Sequence, residues 1–199
     1  IMDIRDYLSD DGQVLLALCS AFALPEDAAA GGAAPFTLSE WNKLARQIHT
    51  SPLKQPAALH GRAADDLAKD LPVLPGDAER IVQLLDRSGR LALELEGLFS
   101  RGLWAVTRVD ELYPKKLRDT LKHQAPTVLF GAGDPQLLSR GGVAVIGSRN
   151  IDEAGTAFAQ EVGRKTAAAR LPVISGGARG TDRLAMGAAL DAGSKAVGV

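Results

Sequence analysis

Val143-Ala144-Val145-Ile146 runs into Gly147-Ser148-Arg149-Asn150, and Pro172-Val173-Ile174-Ser175 runs into Gly176-Gly177-Ala178-Arg179-Gly180-Thr181-Asp182. Each stretch reads as a short apolar strand, a glycine-rich turn and the start of a helix. The surrounding pattern extends this to a strand over 143–147, a helix over 152–170, a strand over 172–175, a helix over 181–192 and a strand over 195–199. Strands alternating with helices are the signature of a parallel sheet covered by helices. Right-handed crossovers carry both glycine turns to the carboxyl edge of that sheet. Backbone N–H groups, helix N-termini and two arginines then converge on one crevice, which suits a phosphate of a nucleotide or of a nucleic-acid backbone.

Working outward, the net charge of −1 conceals an asymmetry. Residues 1–112 hold 11 Lys and Arg against 17 Asp and Glu, a net of −6, whereas residues 113–199 hold 12 against 7, a net of +5. The basic half carries the glycine turns, and an anionic partner is favoured there. Hydrophobic residues make up 46% and charged residues 24%, an ordinary globular composition. No apolar run approaches the roughly 20 residues of a membrane span, and the charged start shows no signal-peptide pattern. Cys19 stands alone, which excludes an intrachain disulfide and a zinc site built on cysteines. Its place in the apolar run from Val14 to Ala21 makes it a small buried hydrophobe rather than a reactive thiol. A cytoplasmic setting and no membrane partner fit these features.

Residues 1–101 read as a small all-helical domain. A short apolar helix covers 13–22, and Pro25 to Pro35 is a low-complexity loop. Thr37-Leu38-Ser39-Glu40 is a capping box opening a helix with Leu38, Trp41, Leu44, Ala45 and Ile48 on one face. Short helices follow at 53–59 and 62–70, and Asp77 caps a helix that Ser88-Gly89 interrupts or kinks. The character changes near Gly102, so that 102–199 forms the second domain. Leu103 to Val106 and Thr127 to Phe130 are candidate strands around a basic helical segment that starts at Tyr113-Pro114. The final strand has no helix after it, so the domain is expected to lack its C-terminal end.

The candidate site residues divide by chemistry. Gly147 lets a ligand approach the backbone, the Ser148 hydroxyl can donate to phosphate, and Arg149 can bind it bidentately; a tight strand-to-helix turn is the equal alternative. Gly176, Gly177, Ala178 and Arg179 form the stronger candidate, since several N–H groups and an arginine share one loop. Thr181 and Asp182 can cap the next helix, and Asp182 can alternatively bind a ribose hydroxyl or fix Arg179. Both G-x-G-x-x-G and the Walker A pattern are absent. Lys115, Lys116, Arg118, Lys122 and His123 form a basic segment that either follows a nucleic-acid backbone or is a solvated face. The histidines sit beside no nucleophile, and no constellation supplies a general base or a metal site. Trp41 and Trp104 lie in apolar patterns and belong to a core.

These motifs, taken in order, resemble the DNA-processing family called DprA or Smf. The resemblance runs from about Leu103 to Val199 and rests on Tyr113-Pro114-x-x-Leu117, Ala125-Pro126-Thr127-Val128-Leu129-Phe130-Gly131-x-Gly133, Val143 to Arg149, Ser175 to Asp182, and Gly187-Ala188-Ala189-Leu190. It implies a Rossmann-like parallel sheet with helices on both faces, preceded by the helical domain, for which a SAM-like arrangement is the candidate. It further implies a binding protein rather than an enzyme, one that takes single-stranded DNA, self-associates as a homodimer and loads a RecA-type recombinase in natural transformation or recombination, with no cofactor. By motif position Gly147, Ser148, Arg149, Ser175, Gly176, Ala178, Arg179 and Asp182 would line the phosphate pocket. Two positions depart from the family pattern: Gly177 stands where leucine is usual, and Met186 where histidine follows the aspartate. The alternative is a Rossmann-like domain that binds or processes a mononucleotide.

Overall fold

The computed structural model describes residues 4–24 and 32–199; the rest of the expected low-complexity loop, residues 25–31, lies outside the described residues. Two compact units are formed, Ile1–Pro135 and Gln136–Val199. In the first, the chain runs through α1 (Asp10–Cys19), α2 (Leu38–Thr50), α3 (Ala64–Asp70), α4 (Pro75–Leu85), α5 (Ser88–Ser100), β1 (Leu103–Thr107), α6 (Lys115–Leu121) and β2 (Val128–Ala132).

The Ser9 hydroxyl accepts the Gly12 N–H and so opens α1. Val14, Leu15, Leu16 and Leu18 are all fully buried. A helix without a polar face belongs at the centre of a core, and α1 packs against α4, β1, β2 and a 3-10 turn at Pro56–Leu59. Its start is tied to a distant segment through Asp110. One oxygen of that buried carboxylate accepts the Ser9 N–H at 2.8 Å and the Ser9 hydroxyl at 2.7 Å. The other accepts the Thr107 N–H and hydroxyl at 2.8 and 2.6 Å. Gly12 has no side chain because a Cβ would collide with the same carboxylate. Four donors satisfy the acid fully, as burial of a carboxylate requires. At the other end of α1, Arg87 donates to the carbonyls of Ala17, Ser20 and Phe22, a cation placed at the negative end of the helix.

The capping box at α2 forms as expected: Glu40 accepts the Thr37 N–H and Thr37 accepts the Glu40 N–H. Arg80 of α4 reaches the same place, bonding Glu40 at 3.0 Å, the carbonyls of Ala34 and Pro35, and covering the Phe36 ring at 4.0 Å. Trp41 and Trp104 are core residues. Cys19 is half-buried, and burial pushes its thiol up to about 12, partly offset by a hydrogen bond with Thr127; it is an inert packing residue at neutral pH.

Several local expectations shift. The segment 53–59 is helical only as the 3-10 turn. Asp77 lies in the first turn of α4 and does not cap it, because the helix begins at Pro75, a residue whose missing N–H suits a first helical position. β1 and β2 pair antiparallel, Leu103 opposite Ala132 and Thr107 opposite Val128. They form a separate two-stranded sheet. Gly131 lies against the Trp104 indole, whose Nε1 donates to the Gly133 carbonyl at 2.8 Å. The change of character at Gly102 therefore falls inside the first compact unit, where β1 packs on α5 and α1.

The second unit contains α7 (Leu137–Arg140), β3 (Val143–Ala144), α8 (Glu153–Ala168), β4 (Val173–Ser175), α9 (Thr181–Asp191) and β5 (Ala196–Gly198). The sheet is parallel in the order β3-β4-β5, with Val143 beside Val173 and Ile174 beside Val197. Helices flank it, as the alternating pattern predicts. Asp152 caps α8 by accepting the Gly155 N–H. Val173, Ala185 and Ala189 form a buried cluster, with Val145 and Met186 packed on it. α8 and α9 approach closely because Gly163 faces the Ala185 carbonyl and Ala188, where a Cβ would clash. Among the described residues no helix is long and apolar enough to cross a membrane.

Candidate functional site

The two glycine turns meet at the carboxyl edge of the three-stranded sheet. The Thr181 N–H and hydroxyl both donate to the Ser148 carbonyl, at 3.1 and 3.2 Å. The Asp182 carboxylate accepts the Gly147 N–H at 3.2 Å. Arg179 Nη2 donates to Asn150 Oδ1 at 2.8 Å. Each of these three contacts joins one turn to the other.

Glycine is required where the turns touch. Gly180 has φ +88°, and a Cβ there would strike the Ser148 and Arg149 carbonyls. Gly147 lies against the Thr181 side chain. At Gly177 the reason differs: φ is +67° and the space is open, so backbone freedom alone selects glycine. The family's usual leucine could not adopt that turn without strain.

The structure divides the sequence candidates into supports and exposed groups. Ser175 is buried, and its hydroxyl donates to the Val145 carbonyl at 2.8 Å, joining the ends of β4 and the first strand segment. The Ser148 hydroxyl is held inside its own turn, donating to the Asn150 carbonyl and accepting the Asn150 N–H. Asp182 is 5% exposed. It does not cap α9, whose N-cap is Gly180 without a side-chain hydrogen bond, nor does it fix Arg179, which Asn150 holds. By contrast Arg149, Gly176, Gly177 and Arg179 are exposed and Ala178 is half-buried. Among the described residues the N–H groups of Ser148, Gly177, Ala178 and Arg179 have no hydrogen-bond partner, and the Arg149 guanidinium has none either. Donors without acceptors around a cation constitute an anion-binding concavity.

Sequence reasoning missed a neighbouring feature. An open groove of about 680 Å³ lies along α8 and α9, lined by Gln160, Arg164, Arg179, Arg183, Leu184 and Asp191 among others. Arg164 is paired with Glu161 at 3.1 Å, whereas Arg183 has no carboxylate partner among the described residues. The Arg179-x-x-x-Arg183 spacing, which straddles the start of α9, was the signal that could have found it. The unit as a whole carries eight Lys and Arg against five Asp and Glu, a net of +3, and one of those acids is the buried Asp182.

Lys115, Lys116 and Lys122 lie in the first unit. Lys115 and Lys116 begin α6, and Lys122 follows it with a left-handed backbone, φ +51°; all three are exposed. Among the described residues no group of three or more His, Cys, Asp or Glu is placed to hold a metal ion.

Residues 104–199 match the family model described as DNA recombination-mediator protein A. This part of the chain is similar to the DprA/Smf family. The fold is similar to the X-ray structure of DNA processing protein A (DprA) from Streptococcus pneumoniae, with a TM-score of 0.51, 24% sequence identity, and coverage of 98% of this chain and 54% of that one. The chain thus spans about half the length of that DprA. No curated protein matches it. Within the DprA region Met186, at the position where histidine is usual, packs on the Val173, Ala185 and Ala189 cluster, so its side chain serves the core.

Proposed function

We propose that the chain is a DprA-type mediator of DNA recombination that binds single-stranded DNA through its backbone, without catalysis and without a cofactor. The observation that carries this reading is the meeting of the two glycine turns, which leaves unpartnered N–H groups beside the Arg149 and Arg179 guanidiniums. N–H groups and guanidinium forks are matched to phosphate oxygens. Lys115, Lys116 and Lys122 of the first unit supply further phosphate contacts in this reading. Phosphate contacts carry no base information, so sequence preference is slight. The partners in this reading are single-stranded DNA, a RecA-type recombinase and a second copy of the chain in a homodimer, in the cytoplasm.

Mononucleotide processing is the weaker reading. It needs a carboxylate at the second turn, and Asp182 is buried and already accepts the Gly147 N–H. The test is fluorescence anisotropy of labelled oligo-dT at low and physiological salt. Affinity falls steeply with salt, and Arg149→Ala or Arg179→Ala weakens binding about tenfold, as loss of a charge-assisted hydrogen bond implies. Binding that ignores salt, or that a mononucleotide displaces, overturns the reading.

A further inference from the structure

The first unit is acidic overall, yet it holds a groove of about 690 Å³ in which four Lys and Arg side chains stand around an apolar floor that includes half-buried Ala45 and Pro56 and exposed Val109. Lys54 precedes the Pro56–Leu59 turn, Arg108 follows β1, Arg118 projects from α6, Lys122 follows α6, and His49 ends α2. Leu15, Trp41 and Ile48 beneath them are buried core residues that offer little surface. Asp119 is the acid in the lining, 3.8 Å from Arg118 Nε.

Two features set this groove apart from a solvated basic face. Arg108 is half-buried, and its guanidinium is held by neutral acceptors: the Ala125 carbonyl at 3.2 Å and Asn42 Oδ1 at 2.8 Å. No carboxylate among the described residues pairs with it. A partly desolvated cation fixed in place without a counter-charge favours an anion supplied from outside. Lys54 and Lys122 are both non-glycine residues at positive φ, +64° and +51°. Left-handed backbone costs a lysine on the order of 1 kcal/mol, and here it occurs at two lysines of one groove. Neither has a carboxylate partner among the described residues.

We propose that this groove is a second docking site for the phosphates of single-stranded nucleic acid, with Lys54, Arg108, Arg118 and Lys122 as its contacts. The site stands on its own geometry in the first unit and shares with the reading above only the ligand class and Lys122. Lys115 and Lys116 do not line it.

The experiment compares four forms of the full chain: wild type, Arg149→Ala/Arg179→Ala, Lys54→Asn/Lys122→Asn, and the quadruple variant. Asparagine removes the charge and tolerates left-handed backbone, and thermal melts confirm folding. The readout is the slope of log affinity for oligo-dT against log salt concentration. Loss of two phosphate contacts makes the slope shallower by about 1.4, at roughly 0.7 per phosphate on single strands, both in wild type and in the arginine variant. A slope that is unchanged, or shallower only by the roughly 0.7 that Lys122 alone accounts for, overturns the groove. So does displacement of oligo-dT by an oligo-glutamate of equal charge as readily as by unlabelled oligo-dT, which would assign the groove to an acidic peptide. Failure of the glycine-turn reading looks different: the arginine variant then binds like wild type while the lysine variant does not. Absence of any wild-type binding at low salt removes both.

Discussion

The Asp182 carboxylate accepts the Gly147 N–H across 3.2 Å and thereby fastens the start of α9 to the end of the neighbouring strand segment. The carboxylate is buried, so it cannot meet a ligand in solution; its role is to position the turns. Asparagine keeps an oxygen acceptor for Gly147, whereas alanine leaves that N–H unpaired. Asp182→Asn is therefore expected to bind oligo-dT within about threefold of wild type. Asp182→Ala should lose about 1 kcal/mol of stability, the net worth of the hydrogen bond that joins the turns. Anisotropy and urea melts on the two variants check this. Equal loss of oligo-dT binding in both, without loss of stability, would make Asp182 a ligand contact instead.

Two glycines in the second turn separate backbone strain from contact. Gly177 and Gly180 both have positive φ, but only Gly180 lies against the Ser148 and Arg149 carbonyls. Gly177→Ala carries strain alone and is expected to cost about 1 kcal/mol. Gly180→Ala adds a backbone collision and should cost clearly more, about 2–3 kcal/mol, with the two turns pushed apart. Denaturant unfolding gives the ranking. A Gly177 variant as damaged as the Gly180 variant would show that something covers the open space beside Gly177.

Much of this site was legible in the sequence because each turn is coded locally. Apolar strand, glycine turn and helix start occupy consecutive residues, and the crossover rule alone places both turns at one edge. What the sequence left open was which donors face outward. Gly147, Ser148 and Asp182 look like ligand groups in a one-dimensional reading. Their partners are Asp182, Asn150 and Gly147, pairings that span up to 35 residues or turn on rotamers. Asp77 departs from expectation for a related reason: its residue type suits a cap, but Pro75 already starts the helix. The same limit hid the basic groove of the first unit. Its cations come from three segments between Lys54 and Lys122, within a region whose summed charge is negative, and a sum has no geometry.

Glu40 supplies the clearest pH dependence of stability. The Arg80 guanidinium, 3.0 Å from its carboxylate, together with the Thr37 N–H and hydroxyl, lowers its pKa to about 2. An unfolded glutamate titrates near about 4.3. The folded value is the lower one, so the interaction stabilises the fold above the unfolded pKa and is lost as pH falls towards about 2. Its magnitude is modest, because the Glu40 side chain is 44% exposed and screened by solvent. Glu40→Gln removes the titration but keeps an amide oxygen for Thr37. The variant is expected to be less stable than wild type at neutral pH, and the gap should close between about pH 4 and about pH 2. High salt should narrow it at neutral pH. Urea midpoints for both proteins across this range test the assignment, and a gap that stays constant down to about pH 2 would show that Arg80 does not hold Glu40 ionised.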